Sequence, residues 1–460
     1  MIALLAGCKQ IVEIPSPITQ LVTSSVFNNN ASATSAQTVI YSQMVNNGES
    51  WQISQNSGLL SDELTNYSTN IGQVQFYDNA LSAASTSGRW NYIYNYIYQA
   101  NAVISGLQNN SGVSVVIQHQ LIGESKFIRA FWYFYLTNMY GDVPLVISTD
   151  YTINASITRT PKQQVYEQII TDLKDAQNLL NNNYVDASDT TITTDRGRPT
   201  KWAASALLAR TYLYTGRYDS AESKATAVIN NTGLYSLDSL KDVFLANSTE
   251  AIWQLDIPLP TNYNTPDGYN FILSAAPGMG LGNSTTISTQ LLNSFEPGDN
   301  RKSTWIGSFT ADSINYYYFP YKYKVYQSST VTEYVMALRL AEQYLIRAEA
   351  KAQQGNITGS IGALADLNII RKRAGLKDYS GATDQTSVLN SILHERQVEL
   401  FTEWGHRWFD MIRTDNANNI MSIVTPQKGG TWNLDGYQTL YPIPQSERNL
   451  DRNLSQNEGY

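Results

Sequence analysis

The chain has 460 residues, of which 42% are hydrophobic and 15% are charged, so it can bury a large core while uncharged polar groups cover its surface. The net charge is −8 and no cluster of Lys or Arg occurs, which argues against nucleic acid as a partner because phosphate binding needs a basic face. A single cysteine excludes an internal disulfide framework and any cysteine-based metal site.

The first eight residues end in that cysteine. The stretch ALLAGC, residues 3–8, is an apolar run followed by two small residues and Cys8, a pattern typical of a bacterial lipobox. We predict that Cys8 is lipidated and that residues 1–8 end a truncated signal peptide. The precursor would begin upstream, since a signal peptide needs about 15–30 residues and a basic start. The alternative is a buried cysteine behind a chance apolar run.

Residues 9–20 contain two prolines and show no periodicity, which predicts a flexible tether. Helices follow it. Apolar side chains recur at spacings of three and four over 88–107, and similar patterns predict helices over 121–139, 161–180 and 388–413. After the cysteine, no apolar run has the length of a membrane-spanning helix.

Two further stretches resemble tetratricopeptide hairpins, which are units of about 34 residues. The first, LLARTYLYTGRYDSA at 207–221, has a turn at Gly216; the second, RLAEQYLIRAEAKAQQGN at 339–356, has a turn at Gly355. A lone helix pair cannot bury its apolar face. We therefore expect both hairpins to pack with the other helices in one scaffold.

Residues 231–335 differ from the helical parts. EAIWQLDIPL and YYYFPYKYKVYQ alternate like strands, and a long loop rich in Gly, Pro and Asn lies between them. The predicted fold is mostly α, with tetratricopeptide-like hairpins, further helices and a loop-rich region that has a few short strands. We predict one domain over 21–460, divided at 230 and 335 into an N-terminal helical part, the loop and strand insertion, and a C-terminal part.

Three carboxylates could indicate an enzyme. Glu395, Glu399 and Glu403 stand four apart on the last predicted helix, and paired carboxylates hydrolyse glycosides. Carboxylates on adjacent turns lie on the same face of one helix, however, so they would line one side of a cleft and could not flank a scissile bond. We interpret them as a surface row of ion pairs with Arg396 and Arg407 as neighbours.

Other catalytic signatures are missing from the sequence. His119, His394 and His406 do not have the spacing of metal ligands, and His406 is best interpreted as a structural histidine among aromatic residues. No nucleophile elbow, P-loop or dinucleotide fingerprint occurs. We predict no catalytic residue, no metal and no cofactor.

Aromatic and amide side chains on irregular segments favour sugar binding. Flat Trp and Tyr rings stack on the apolar face of a sugar, while amide and carboxylate groups bond its hydroxyls. For each residue the alternative is ordinary packing, and Tyr316 to Tyr323 more closely resemble the two packed faces of a strand. The candidate ligand residues are Trp51, Asp62, Tyr67, Tyr77, Asn262, Tyr263, Asn264, Tyr269 and Trp305.

Five stretches together resemble the SusD/RagB family of nutrient-binding outer-membrane lipoproteins. They are IGESKFIRAFWYFYLTNMYGDVPL, the hairpin around LLARTYLYTGRYDSA, RLAEQYLIRAEAKAQQGN continuing to LNIIRKRAG, ILHERQVELFTEWGHRWFDMIR, and the closing LYPIPQSERNLDRNLSQNEGY. They occur in family order between about 90 and 460, behind the predicted lipobox. The tail has Asp451-Arg452-Asn453 where the family often has Asn-Pro.

This resemblance implies a helical fold, a lipid anchor in the outer membrane with the protein facing the exterior, and a SusC-like TonB-dependent barrel as partner. It implies binding of glycans, or in some members peptides, without chemistry on the ligand. The regions it points to are 51–77 and 260–320. A peptide-binding uptake protein of the same family, a secreted all-helical glycoside hydrolase and a tetratricopeptide adaptor remain the alternatives.

Overall fold

The computed structural model of the protein describes residues 26–84, 87–258, 262–279 and 282–460. The predicted lipidation site at Cys8 and the predicted tether at 9–20 lie outside these ranges.

Helices form most of the described chain, which confirms the predicted fold class. None of them combines the length and the apolar composition needed to cross a membrane. In chain order they are α1 Asn30–Asn46, α2 Glu49–Leu60, α3 Ile71–Tyr77, α4 Ser87–Leu107, α5 Val115–Tyr140, α6 Tyr151–Asn154, α7 Lys162–Leu179, α8 Lys201–Tyr214, α9 Tyr218–Ile229, α10 Pro266–Phe271, α11 Thr289–Ser294, α12 Asn300–Trp305, α13 Leu340–Gln353, α14 Ala363–Arg373, α15 Gln385–Leu400, α16 His406–Arg413, α17 Ala417–Gln427 and α18 Gln445–Leu450.

Short strands pair only two by two, always antiparallel: β1 with β5, β2 with β3, β4 with β8 and β6 with β7. The strand predicted over 316–327 is mostly wrong, because β7 stops at Pro320, and proline has no N–H to continue a ladder. The strands are β1 Leu64–Asn66, β2 Val143–Pro144, β3 Arg159–Thr160, β4 Ala251–Leu255, β5 Thr285–Ile287, β6 Ile306–Phe309, β7 Tyr317–Pro320 and β8 Val335–Arg339.

The long helices stack in one continuous array, as predicted. Helix α4 packs on α5, α5 on α7, α7 on α8, α8 on α9, α9 on α13, and α13 on α14 and α15. Both predicted hairpins are confirmed as α8–α9 and α13–α14. Fully buried alanines such as Ala221 and Ala348 let neighbouring helices approach closely. Gly216 forms the first turn with φ of 69°, a conformation that suits glycine.

The single helix predicted over 388–413 is wrong, because a turn separates α15 from α16. Thr402, Trp404 and Gly405 in this turn have φ values of 50°, 48° and 77°, which no right-handed helix contains. The indole N–H of Trp404 donates to the carbonyl of Met336 at 2.8 Å. Burial of this ring therefore helps keep the backbone of the turn in its non-helical conformation.

The predicted surface row of ion pairs is also wrong. Glu395, Glu399 and Glu403 are all buried, and the two arginines expected as their neighbours, Arg396 and Arg407, bind other carboxylates. Buried carboxylates need charged or hydrogen-bonding partners. Theirs come from residues far away in the sequence, which helical spacing cannot reveal.

Arg339, at the end of β8, is the centre of this arrangement. Its Nη1 lies 2.6 Å from Oε1 of Glu399 and 3.0 Å from Oε1 of Glu250, and its Nε lies 2.8 Å from Oε2 of Glu403. The guanidinium thus connects β8 with the start of β4, the end of α15 and the following turn.

Three more cations belong to the cluster. Arg301 lies 2.7 Å from Glu395, Arg373 lies 2.5 Å from Glu250, and Lys322 donates to a carboxylate and a carbonyl at the end of α15. We call the following residues the buried ion network: Glu250, Asp299, Arg301, Lys322, Arg339, Arg373, Glu395, Glu399 and Glu403.

The charges in this network are mutually dependent. Burial alone would raise the pKa of Glu399, but the guanidinium groups of Arg373, Arg339 and Arg301 hold that pKa below its ordinary value. The carboxylate therefore stays ionised at neutral pH. Removing its charge would leave three buried guanidinium groups short of a counter-charge.

We expect Glu399→Gln to lower the free energy of unfolding by about 3–5 kcal/mol, because breaking a buried ion pair leaves uncompensated charge. Urea titration followed by circular dichroism measures the change. Asp378→Asn is the control, since it breaks an exposed pair with Lys372 that contributes little. A loss of less than about 1 kcal/mol for Glu399→Gln would show that the network is not a stabilising element.

Candidate ligand-binding face

The predicted irregular segment 51–77 is largely helical, since α2 and α3 occupy most of it. Helix α2 buries polar side chains such as Ser50, Ser54 and Gln55. Its buried face therefore lacks the apolar periodicity that would have predicted a helix. Only the stretch between α2 and α3, with β1, is irregular.

Strand pairing brings this stretch to the long loop. Because β1 pairs with β5, the backbone N–H of Tyr67 donates to the carbonyl of Ser284 at 2.8 Å. The side-chain oxygen of Asn283 accepts from the N–H groups of Ser274 and Ala275 at 2.9 and 3.1 Å. These bonds fix the loop after α10 beside Tyr67.

Helix α10 brings a second loop to the same region. The Thr265 hydroxyl caps this helix by accepting from the N–H of Gly268 at 2.9 Å. A Cβ at residue 268 would lie 2.7 Å from the carbonyl oxygen of Val325, so only glycine permits this close approach. The approach lets the ring of Tyr269 stack on Tyr326, with centroids 5.3 Å and planes 3° apart.

Together with this pair, four more tyrosines line the face, and ring contacts join them into a group of three and a separate pair. Tyr263 lies 5.3 Å from Tyr269 at an interplanar angle of 36°, and at the other end Tyr67 meets Tyr317 edge-on at 6.0 Å. Between these ends, rings pack on the buried side chains of Ile272 and Phe319. We call this set the aromatic row: Tyr263, Tyr269, Tyr326, Tyr321, Tyr317 and Tyr67.

Every ring in the row is partly exposed, and Tyr67 is 40% exposed. Such rings can stack on the apolar C–H face of a sugar or on another flat ligand. Exposed hydroxyl and amide side chains on the adjoining loops offer hydrogen bonds to ligand hydroxyls: Thr69, Asn70, Asn262, Gln327, Ser329 and Thr330.

Five of the predicted ligand residues lie at this face. Tyr67, Tyr263 and Tyr269 belong to the aromatic row. Tyr77 is half-buried on α3 near Tyr67, and Asn262 is exposed next to Tyr263. Trp51 lies below the face: it is half-buried against the main core, and a Cβ on Gly48 would touch both its ring and Pro266.

Three predicted ligand residues point inward. Asp62 accepts two bonds from Arg407 at 2.9 and 2.8 Å. Asn264 accepts from the N–H of Thr332 at 2.6 Å and ties two loops together. Trp305 is fully buried, and its indole N–H donates to a backbone carbonyl at 2.7 Å. Because each is engaged inside the protein, we leave them out of the proposed ligand surface.

The prediction did not select Tyr317, Tyr321 or Tyr326. It placed them on a packed strand, yet the strand ends at Pro320 and the chain then turns towards α10. Pro320 itself was the available signal, since proline rarely continues a strand. The contact with Tyr269 depends on the close approach at Gly268, which no sequence pattern shows.

Two carboxyl groups are buried beneath the face. Burial, and next the neighbouring Asp62, raise the pKa of Glu63 to about 8, while its Oε2 accepts from the N–H of Thr402 at 3.4 Å. Burial raises the pKa of Asp267 to about 7, and its Oδ1 accepts from the Ser50 hydroxyl at 3.0 Å. Glu63 is therefore mostly protonated at neutral pH.

Groups suited to catalysis are engaged elsewhere. The carboxylates of α15 belong to the buried ion network. His406 is buried, and burial together with the positive charges of Arg210 and Arg396 lowers its pKa, so its ring is neutral. Among the described residues, no three or more His, Cys, Asp or Glu side chains are grouped to hold a metal ion.

Comparison with known families agrees with this architecture. Residues 298–460 match the family described as "SusD family", and residues 11–213 match the family described as "Starch-binding associating with outer membrane". A SusD-like protein, P2 of Formosa agariphila, is 28% identical over 83% of this chain and 81% of its own length.

Solved structures show the same fold. A SusD superfamily protein from Bacteroides vulgatus superimposes with a TM-score of 0.79 at 22% identity, covering 94% of this chain and 100% of that one. A structure titled as a laminarin-binding SusD-like protein gives 0.74 at 22% identity, with the same coverage of both chains. Two SusD-type family models thus match 11–213 and 298–460, so the chain is SusD-like over most of its length.

The raised pKa of Glu63 makes stability depend on pH. The ordinary value is 4.5, so the protonated group contributes stability that is fully present below pH 4.5 and is lost as pH rises through about 8. We expect Glu63→Gln to remove this dependence. The free energy of unfolding of the variant, relative to that of the unchanged protein, should rise from pH 4.5 to about pH 8. The rise should be at most about 1.4 kcal/mol per pH unit, and the difference should then level off.

Urea unfolding at half-unit pH steps from 4.5 to 9 measures both profiles. Parallel profiles for the two proteins would contradict the buried, protonated state of Glu63.

Proposed function

We propose that this protein is a non-catalytic glycan-binding lipoprotein that holds oligosaccharides or polysaccharides at the cell surface for uptake. The aromatic row carries the proposal. Its partly exposed rings are supported by a buried apolar base and bordered by uncharged hydrogen-bonding side chains, the combination that binds sugars by stacking and by bonds to hydroxyls.

The absence of chemistry on the ligand is part of the proposal. A glycoside hydrolase needs two carboxyl groups across a cleft. The carboxylates that suggested this alternative, Glu395, Glu399 and Glu403, are buried and paired with arginine or lysine. This placement supports binding rather than hydrolysis.

Membrane attachment and a partner complete the proposal. One matching family is described as associating with the outer membrane, and the lipobox pattern at Cys8 would provide the anchor. We place the protein on the exterior side of the outer membrane, where it delivers its ligand to a SusC-like TonB-dependent barrel. Two lipid chains give stable attachment where one gives only marginal binding.

A tetratricopeptide adaptor is less well supported, because the aromatic row lies outside both hairpins, α8–α9 and α13–α14. A peptide ligand for the aromatic row remains an outcome that the binding test separates from a glycan.

We expect Tyr269→Ala to weaken glycan binding at least about tenfold, since it removes the ring at the centre of the stack. Tyr269→Phe should retain affinity because it keeps the ring. Tyr151→Ala is the matched control: this tyrosine is 79% exposed on the short helix α6, outside the row. Calorimetric titration with a panel of soluble glycans and peptides measures each affinity.

If Tyr269→Ala and Tyr326→Ala both bind as tightly as the unchanged protein, the aromatic row is not the site. Binding of peptides alone would replace the glycan with a peptide ligand.

The anchor is tested separately in cells. Cys8→Ser in the complete precursor should move the protein from the membrane fraction to the soluble fraction, because no thiol remains for acylation. Immunoblots of the fractions measure the distribution. Membrane attachment that persists in cells without a partner barrel would contradict lipidation at Cys8.

A further inference from the structure

The segments that form the aromatic row contain few positive charges. Residues 62–80 and 262–279 contain no lysine or arginine, and residues 306–335 contain only Lys322 and Lys324. These two lysines are the candidate partners for an acidic ligand in these segments.

Neither lysine is exposed, and protein groups engage both. Lys322 is buried in the ion network, where it pairs with Glu403. The ammonium group of Lys324 is part-buried 4.1 Å from the centre of the Tyr321 ring and donates to the carbonyls of Thr304 and Tyr321. Lys324 thus has two of its three N–H donors bound to carbonyls.

A third lysine approaches the face from α17 and its following turn. Lys428 lies 5.4 Å from the ring of Tyr77. Its ammonium group donates to the carbonyls of Leu59, Leu60 and Ser61 at the end of α2, which uses all three of its N–H donors.

Negative charge, by contrast, is exposed. Asp312 lies at the exposed tip of the β6–β7 hairpin, and the backbone N–H groups of Asn315 and Ile314 lower its pKa to about 2. It stays ionised at any physiological pH. Asp78, half-buried just after α3, adds a second carboxyl group near Tyr77.

We infer that the aromatic row selects uncharged glycans and discriminates against those that contain uronic acid or sulfate groups. This inference rests on the proposed function and specifies its ligand class.

The physical reason is that an acidic group of the ligand would lose water at the row without gaining a cationic partner. An acidic group that approaches the row loses part of its water shell and finds no exposed lysine or arginine among the described residues of these segments. The exposed carboxylate of Asp312, on the hairpin that carries Tyr317, adds repulsion. A neutral sugar hydroxyl finds instead the amide and hydroxyl groups already described, each able to donate and accept.

The experiment compares each neutral glycan with its own charged derivative. Laminarin, soluble starch, galactomannan and xyloglucan are titrated into the protein by calorimetry in about 0.15 M salt, a physiological ionic strength. Any glycan that binds is then chemically sulfated and titrated again. Alginate and polygalacturonate represent the uronic acids. We expect sulfation to weaken binding at least tenfold and both uronates to bind more weakly than the best neutral glycan.

Equal or tighter binding of a sulfated derivative or a uronate would overturn the charge discrimination while leaving the proposed function intact. Failure of every glycan, neutral and acidic, would overturn both. The variant Asp312→Lys adds a cation at the hairpin tip and should reduce the penalty for the sulfated derivative several-fold, with little change for the neutral glycan. An unchanged ratio would overturn the electrostatic explanation.

Discussion

Charged groups that leave water must be neutralised inside the protein, and the buried ion network imposes this condition on much of the second half of the chain. Its members come from the start of β4, from α12, from the segment after β7, from β8, and from α14 and α15. The buried charges on each of these elements pair with opposite charges on another element. These ion pairs therefore connect the second hairpin, the insertion and the C-terminal part in the folded protein, although their sequences look unlike each other.

The same network supports the proposed ligand-binding face. Lys322 is fixed inside the network, and Tyr321, which directly precedes it, belongs to the aromatic row. Trp305 covers this lysine, with its ring centre 4.9 Å from the ammonium group. A face built of loops thus gains a fixed position from the charges beneath it. The packing role of Trp305 explains why a tryptophan in a polar, turn-rich sequence need not contact a ligand.

Sequence patterns predicted the elements whose buried faces are apolar and regular. The helices corresponding to α4, α5 and α7 and both hairpins followed from spacing, whereas α2 did not, because it buries Ser54 and Gln55. For the proposed ligand-binding face, composition selected Tyr67, Tyr263 and Tyr269, which lie in polar segments. It could not find Tyr326, whose place depends on a contact between loops more than fifty residues apart. Spacing likewise showed the carboxylates of α15 but not Arg339.

At the proposed ligand-binding face, Gly268 and the tyrosines of the aromatic row differ in how readily evolution can replace them. The rings of the row are partly exposed, so substitutions such as Tyr to Trp or Asn can change the preferred ligand without disturbing the scaffold. Residue 268 has no such freedom, because any side chain there would press on the carbonyl of Val325 and part the two loops. Descendants of this protein can acquire new ligands by exchanging rings, while the glycine that brings the loops together stays fixed.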